Sequence, residues 1–201
     1  MDDTATSDRK WSLRRELRAR RDALAERAAL SATICARLLA LPAIASATAI
    51  HTYLPIRSEV DTRPLVRAAL DSGKGVAIPI VAASGQLMHS WIDGLEPEQF
   101  EPGALGTLRP RTVRPASPGT WAVTIVPLLG FDRDCYRLGY GKGYYDQLLA
   151  ALPGCVAIGV AFAAQEVEQV PREPHDHPLD MVVTEADVYT RLASPGPTAR
   201  R

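Results

Sequence analysis

The chain has 201 residues, no formal net charge and 46% hydrophobic residues, which is enough for one domain with its own core. The neutral charge argues against a general nucleic-acid-coating protein, which needs a basic excess. No apolar run approaches the ~18–20 residues of a membrane span, and the polar, acidic N-terminus is unlike a secretory signal. We therefore expect a cytoplasmic monomer without a nucleic-acid or membrane partner.

The three cysteines are Cys35, Cys135 and Cys155. They form no metal-binding spacing and, being three, cannot all pair with one another. We expect free thiols in a reducing compartment. Cys135 lies near a glycine-rich segment, but nothing in its surroundings marks it as a nucleophile.

Residues 8–30 are predicted to form the first helix, because leucines recur at helical spacing along them. Residues 9–21 hold seven Arg or Lys and one acid, Glu16, so an anion site is predicted at this end of the chain. Four of these basic residues share one helix face, next to the leucines: Lys10, Arg14, Arg18 and Arg21. A second helix is predicted from Ser31, as its N-cap, to Leu41.

The remaining pattern alternates strands with helices. Helices are predicted at 63–72 and from Gly143 onward, while residues 94–120 read as a long surface connection. Strands are predicted at 48–55, 75–81, 85–92, 121–129, 155–162 and 180–185. This order predicts a single α/β domain over residues 8–190, with a mainly parallel central sheet and helices on both faces. Residues 1–7 are expected to be flexible and residues 191–201 disordered.

The segment RLGYGKGYYD occupies residues 137–146, where the strand at 121–129 leads to the ligand-binding edge of such a sheet. Its alternating glycines lack Cβ atoms, so backbone N–H groups can approach an anion closely. The helix predicted at its end adds further unbonded N–H groups. Arg137 and Lys142 add positive charge, and Asp146 offers a hard oxygen ligand for Mg²⁺. Together these features predict a nucleotide-phosphate site.

This segment is neither of the familiar nucleotide-binding loops. A P-loop needs four residues between its glycines and Ser or Thr after the Lys, whereas Gly143 follows Lys142. A GxGxxG motif is also absent, because Tyr144 and Tyr145 follow the third glycine. The alternative interpretation is a flexible surface turn before an amphipathic helix, but the charged and aromatic residues around the glycines favour the phosphate site.

The segment resembles the signature of the 5-formyltetrahydrofolate cyclo-ligase family, RLG-x-G-x-GYYD. Lys10 and Arg14 resemble the family's N-terminal K-x-x-x-R motif, and Glu59 matches the characteristic acid of its substrate segment. The other similar pieces are YLPIRSEVDT at 53–62, VPLLGFD at 126–132 and EPHDHPLDMVVTE at 173–185. The chain departs from the family's pattern at Leu128, Gly130 and Tyr140.

The resemblance implies an enzyme that uses ATP and Mg²⁺ to convert 5-formyltetrahydrofolate, with or without further glutamates, to 5,10-methenyltetrahydrofolate, ADP and phosphate. Lys142 and Arg137 are the implied catalytic residues, which stabilise charge on the transferred phosphoryl group. Asp146 and Asp176 are the implied metal ligands. The implied ATP contacts are Lys10, Arg14, Arg137, Leu138, Gly139, Tyr140, Gly141, Lys142, Gly143, Tyr144 and Tyr145, and the implied substrate contacts are Leu54, Glu59 and Tyr144.

Each role has an alternative. Lys10 and Arg14 could solvate a helix face, Glu59 could start the helix at 63–72, and Asp176 could be a loop acid. His175 and His177 bracket Asp176 and raise a transition-metal site, although no third ligand is evident. At the level of the whole chain, the alternatives are a nucleic-acid- or folate-binding protein without catalysis and another phosphoryl-transfer enzyme on a similar scaffold.

Overall fold

The computed structural model of the protein describes residues 3–82, 84–173 and 176–191. The α-helices in these ranges are α1 (Asp3–Asp22), α2 (Arg27–Leu39), α3 (Pro42–Ser46), α4 (Arg63–Asp71) and α5 (Tyr144–Ala150). The strands are β1 (Ala49–His51), β2 (Gly75–Val81), β3 (Leu87–Ile92), β4 (Phe100–Pro102), β5 (Leu108–Pro110), β6 (Arg114–Pro115), β7 (Val123–Pro127), β8 (Gly130–Phe131), β9 (Arg137–Leu138), β10 (Val156–Val160), β11 (Met181–Val183) and β12 (Val188–Thr190). None of the helices in these ranges is both long and apolar enough to cross a membrane.

The central sheet has the strand order β12-β11-β10-β7-β1-β2-β3-β6. Its five inner strands, from β11 to β2, are parallel to one another. β12 and β3 pair antiparallel at the two ends of this parallel group, and β6 pairs antiparallel with β3. The predicted mainly parallel sheet in an α/β domain is therefore confirmed.

Helices cover both faces of this sheet. Successive side chains of a strand point to opposite faces, and apolar side chains are buried against helices on each face. On one face, Ile50 of β1 belongs to a buried cluster with Leu38 of α2 and Leu65 of α4. On the other face, the neighbouring Ala49 belongs to a cluster with Leu148 of α5. The predicted placement of helices on both faces is thus confirmed.

The helix boundaries near the N-terminus differ from the prediction. α1 begins at Asp3 and the break before α2 falls at residues 23–26, because Glu26 takes a left-handed conformation with φ of 55°. The sequence carries neither Gly nor Pro there, so no local signal marks the break. Ser31 is not an N-cap: it lies buried inside α2, and its hydroxyl accepts a hydrogen bond from the Asp61 N–H.

Several short strands were not predicted. The long connection at 94–120 contains the β4–β5 hairpin and β6. The β8–β9 hairpin lies between β7 and Gly139, and its second strand is the start of the glycine-rich segment. The predicted strand at 48–55 shrinks to Ala49–His51. Most of the predicted C-terminal tail, residues 192–201, lies outside the described residues, as does His175.

Candidate active site

A cavity of about 540 Å³ opens at the carboxyl ends of β1, β2 and β7. Ligands bind at this edge in open α/β sheets. Its walls come from α1, the segment after β1, the turn of the β4–β5 hairpin, the glycine-rich segment and the approach to β11. Every residue that the sequence predicted for the site lines it: Lys10, Arg14, Leu54, Glu59, Arg137, Leu138, Gly139, Tyr140, Gly141, Lys142, Gly143, Tyr144, Tyr145, Asp146 and Asp176.

The glycine loop, residues 139–143, exposes unbonded backbone N–H groups. Gly141 and Gly143 have φ values of 86° and 68°, in the left-handed region that favours glycine. Among the described residues, no group accepts a hydrogen bond from a backbone N–H of residues 139–143. Buried or ligand-facing amides normally have a partner, so this loop is suited to an anion with several acceptor oxygens.

Two basic residues of α1 reach this loop. Arg14 Nε donates a hydrogen bond to the Gly139 carbonyl over 2.9 Å, and its guanidinium packs against Gly141, where a Cβ would approach within 3.2 Å. Lys10 Nζ donates to Asp176 Oδ2 over 2.7 Å and to Glu173 Oε2 over 2.5 Å. Because Lys10 is only 6% exposed, it does not solvate a helix face.

Arg137 is nearly buried and holds two segments of the cavity wall together. Its two terminal nitrogens donate to Asp146 Oδ1 and to the His177 carbonyl, each over 2.6 Å. Burial lowers the pKa of the Arg137 guanidinium, and the nearby carboxylates of Asp146 and Asp176 oppose that shift. Lys142, by contrast, is exposed and makes no ion pair with a described residue.

The carboxylates of Asp146 and Asp176 both act on Arg137 and both line the cavity. Mg²⁺ is usually held by one or two carboxylates together with substrate phosphates and water, so this donor set fits Mg²⁺ beside the glycine loop. The described residues contain no group of three or more His, Cys, Asp or Glu side chains that could hold a metal ion. They therefore give no support to a transition-metal site at His177.

Glu59 is a buried carboxylate in the cavity wall. Its Oε2 accepts the Ile56 N–H over 3.0 Å, and its Oε1 accepts the Tyr140 hydroxyl over 2.5 Å. Burial raises the pKa of Glu59, while these two hydrogen bonds and the charge of Arg21 oppose that shift. α4 begins only at Arg63, so Glu59 does not start that helix.

An apolar part of the cavity wall was missed by sequence reasoning. It includes Ile56, Ile78 and Leu87, and at its rim the β4–β5 turn contributes Leu105 and Leu108. These two leucines are 55% and 46% exposed, so they add apolar surface at the rim. Their segment carried only turn signals in the sequence. Glu173 also had no predicted role of its own, although it opens the family-like segment at 173–185, and only the fold places it beside Lys10.

The departures from the family's pattern have two different consequences. Gly130 lets α1 approach, because a Cβ there would overlap the Leu17 side chain, and Leu128 packs where Gly159 leaves room for it. Both are packing positions. Tyr140, however, lines the cavity and contacts Glu59.

The cysteines are free thiols, as predicted. Burial raises the pKa of Cys135 to about 11. Its Sγ donates to the Tyr189 carbonyl over 3.7 Å, and it is not among the residues that line the cavity. It therefore has no nucleophilic role in this site.

Comparisons with known proteins point to one family. Residues 6–185 match the model of the 5-formyltetrahydrofolate cyclo-ligase family. The chain is 30% identical to 5-formyltetrahydrofolate cyclo-ligase of Escherichia coli strain K12, over 76% of this chain and 86% of the relative. It is also 30% identical to the Mus musculus protein of that name, over 88% of this chain and 93% of the relative.

Its fold resembles that of Aquifex aeolicus 5,10-methenyltetrahydrofolate synthetase. The TM-score is 0.79 at 31% sequence identity, covering 95% of this chain and 99% of the other. The shared fold, the glycine loop and the sequence match over most of the chain lead to one assignment. The chain belongs to the 5-formyltetrahydrofolate cyclo-ligase family.

Proposed function

We propose that this protein converts 5-formyltetrahydrofolate to 5,10-methenyltetrahydrofolate with ATP and Mg²⁺, releasing ADP and phosphate. One observation carries the proposal: a single cavity joins the unbonded amides of the glycine loop to a buried carboxylate, Glu59, and an apolar wall. The amides suit phosphate oxygens, whereas the carboxylate and the apolar wall suit a ring system that carries N–H donors. The names of the relatives supply the substrate class.

The chemistry explains why such a reaction needs ATP. The formamide oxygen is a weak nucleophile, and hydroxide is a poor leaving group. Attack of that oxygen on the γ-phosphorus breaks the bond to ADP and gives an imidate phosphate. N10 then attacks the formyl carbon, the C–O bond breaks with release of phosphate, and the N10 proton is lost. The protein must mainly align the oxygen with the phosphorus and stabilise the charge.

The glycine loop is assigned to the transferred phosphoryl group. The amides of residues 139–143 would cradle phosphate oxygens, and Lys142 would add charge as it develops during transfer. Lys142 suits this task because it is exposed and has no ion-pair partner among the described residues. Lys10 and Arg14 would approach the other phosphates from α1, the latter while bonded to the Gly139 carbonyl.

Asp146 and Asp176 are the residues proposed to hold Mg²⁺. The metal would neutralise phosphate charge when bound. Arg137 forms an ion pair with Asp146, and Lys10 forms one with Asp176. These ion pairs orient both carboxylates, and they place Arg137 near the proposed phosphate-binding side of the cavity.

Glu59, Leu54 and Tyr144 are assigned to the folate. The pterin ring presents N–H donors at one edge, and a buried carboxylate is a strong acceptor for such donors. Leu54 and the half-buried Tyr144 line the same cavity and offer apolar and aromatic surface for the ring.

The test is to mix the protein with 5-formyltetrahydrofolate and Mg-ATP and to follow the absorbance of the methenyl product together with released phosphate. We expect one phosphate per product and no product when either ATP or the divalent ion is omitted. Equal product without ATP would sink the proposal. Tight folate binding without any product would favour the binding-protein alternative.

A further inference from the structure

A buried arginine from α1 lies behind the cavity wall. Arg21 is only 1% exposed. Its Nη1 donates to the Tyr140 hydroxyl over 2.9 Å, and its Nε donates to the Ser58 hydroxyl over 3.1 Å. The Tyr140 hydroxyl donates a hydrogen bond to Glu59, and the Ser58 hydroxyl donates one to Asp22. The guanidinium therefore reaches two acids, each through one hydroxyl bridge.

This geometry is unusual because Arg21 has no carboxylate within ion-pair distance among the described residues. A buried guanidinium keeps its charge and needs compensation nearby. Here the hydroxyl groups of Tyr140 and Ser58 lie between the guanidinium and the carboxylates that balance its charge. Tyr140 is the more informative bridge, because it belongs to the glycine loop, whereas its acceptor Glu59 belongs to the segment after β1.

We propose that Tyr140, oriented by Arg21, is a positioning residue for Glu59, which links the glycine loop to the acid that receives the folate. The proposal rests on the proposed function, because it gives Glu59 the folate as its ligand. Tyr140 occupies only one lone pair of one carboxylate oxygen and Ile56 one of the other. Glu59 thus retains capacity to accept further hydrogen bonds from a ligand in the cavity.

The same contacts act on the pKa of Glu59. Five charged or titratable groups interact electrostatically with Glu59, and they come from different parts of the chain. They are Arg21 of α1, Tyr53 after β1, Arg57 of its own segment, Tyr140 of the glycine loop and Tyr145 of α5. Burial raises the pKa of Glu59, and the Tyr140 hydroxyl is one of the groups that lower it. A neutral carboxyl group accepts hydrogen bonds poorly, so the ionised form is the one that binds ring N–H donors.

The sign of the effect follows directly. Glu59 is ionised above its pKa, so folate binding weakens as the pH falls through that value. Removal of the Tyr140 hydroxyl takes away a group that lowers the pKa, so the pKa rises further. The acid limb of the folate kcat/KM profile then moves to higher pH in Tyr140→Phe.

The experiment compares Tyr140→Phe with the native protein and with Tyr136→Phe, a matched control. Tyr136 lies just before the loop, its ring packs under Arg172, and it does not line the cavity. We expect the folate KM of Tyr140→Phe to rise roughly tenfold, as for loss of a hydrogen bond to a charged group. We also expect its acid limb to shift to higher pH, with a smaller change in the ATP KM. The control should show neither effect.

Glu59→Gln separates positioning from general structural damage. If Tyr140 acts through Glu59, adding Tyr140→Phe to Glu59→Gln should change the folate KM less than twofold, because coupled residues are not additive. An equal effect of Tyr140→Phe in both backgrounds, or an unchanged acid limb, would overturn the inference. If the native protein itself forms no methenyl product, the proposed function has failed; if it does and Tyr140→Phe behaves like it, only the inference has failed.

Discussion

Two polar clusters lie near the carboxyl edge of the sheet, and they are built on opposite principles. The first is the loop wall of the cavity, which we define as the glycine loop with Lys10, Arg14, Arg137 and the carboxylates around them. Lys10 and Arg137 are nearly buried there and form ion pairs with carboxylates. The second cluster is an imidazole pair, His51 of β1 and His89 of β3, whose nitrogens Nε2 and Nδ1 are 3.0 Å apart. The His51 ring stacks on Trp121 with centroids 4.8 Å apart, and neither histidine lines the cavity.

The difference between the two clusters lies in whether a buried basic group has a carboxylate beside it. Burial penalises charge in both clusters. Carboxylates oppose this penalty at Arg137, and Lys10 forms ion pairs with two of them. Among the described residues, neither imidazole has a carboxylate partner. Burial lowers the pKa of both rings, that of His51 most, with a further lowering from His89. We therefore expect changes in the loop wall to alter catalysis and changes in the imidazole pair to alter stability.

The largest effect is expected from Lys142→Met. An exposed loop lysine buries little surface, so the melting temperature should stay near that of the native protein. If Lys142 stabilises charge that develops only during transfer, kcat should fall about 10²–10³-fold. The measurement is kcat and melting temperature side by side.

Lys74→Met is the matched control for this variant. Lys74 lies outside the cavity, and its Nζ donates to the carbonyls of Ala45 and Ala47. Its loss should lower stability and leave kcat unchanged. A normal kcat in Lys142→Met would mean that the loop amides and the metal suffice, and a collapsed melting temperature would make Lys142 structural.

Lys10→Met is expected to change both stability and ATP binding, because Lys10 forms ion pairs and also lines the cavity. Its ammonium separates the carboxylates of Glu173 and Asp176, so the substitution brings like charges together and should cost about 1–3 kcal/mol of stability. The ATP KM should also rise more than the folate KM. Arg14→Ala should show the same KM pattern. Unchanged ATP kinetics in both variants would leave these residues a purely structural role.

The sequence predicted those parts of the site that are local in the chain. The glycine loop, Lys142 and Asp146 lie within ten residues, so residue types and spacing reveal them. The contacts of Arg21 with Tyr140 and of Lys10 with Asp176 span 119 and 166 residues. Only the folded path of α1 along the cavity creates them, and no spacing rule can predict them. The resemblance to a family placed Lys10 and Asp176 in the site but did not pair them.

The strands of the fold divide in the same way. Apolar strands such as β7 were predicted because burial on both faces leaves a continuous apolar signal. The strands β8 and β9 have two residues each, too few for any period. Their hairpin is fixed instead by Asp132, a buried acid whose Oδ1 accepts the N–H groups of Asp134 and Tyr136. The imidazole pair was also missed, because His51 and His89 meet only once β2 lies between their strands.

The smallest effect is expected from the imidazole pair and concerns the pH dependence of stability. The unfolded chain protonates its histidines near pH 6.5. In the folded protein burial lowers the pKa of His51 and His89, so the unfolded state binds more protons below that pH. Stability is therefore complete above about pH 6.5 and falls on acidification, by up to about 1.4 kcal/mol per pH unit for each group.

His89→Phe removes one titrating ring of this pair and keeps an aromatic side chain beside Trp121. We expect the free energy of unfolding to fall less steeply between about pH 6.5 and 5 than in the native protein, as measured by urea denaturation at several pH values. His177→Gln is the control, because that side chain is exposed, and its slope should match the native one. Cyclo-ligase turnover of His89→Phe at pH above 7 should stay close to native, since His89 does not line the cavity. An unchanged slope would show that the pair does not control the acid sensitivity of the fold. A large loss of turnover would contradict the assignment of the imidazole pair to stability and of the loop wall to catalysis.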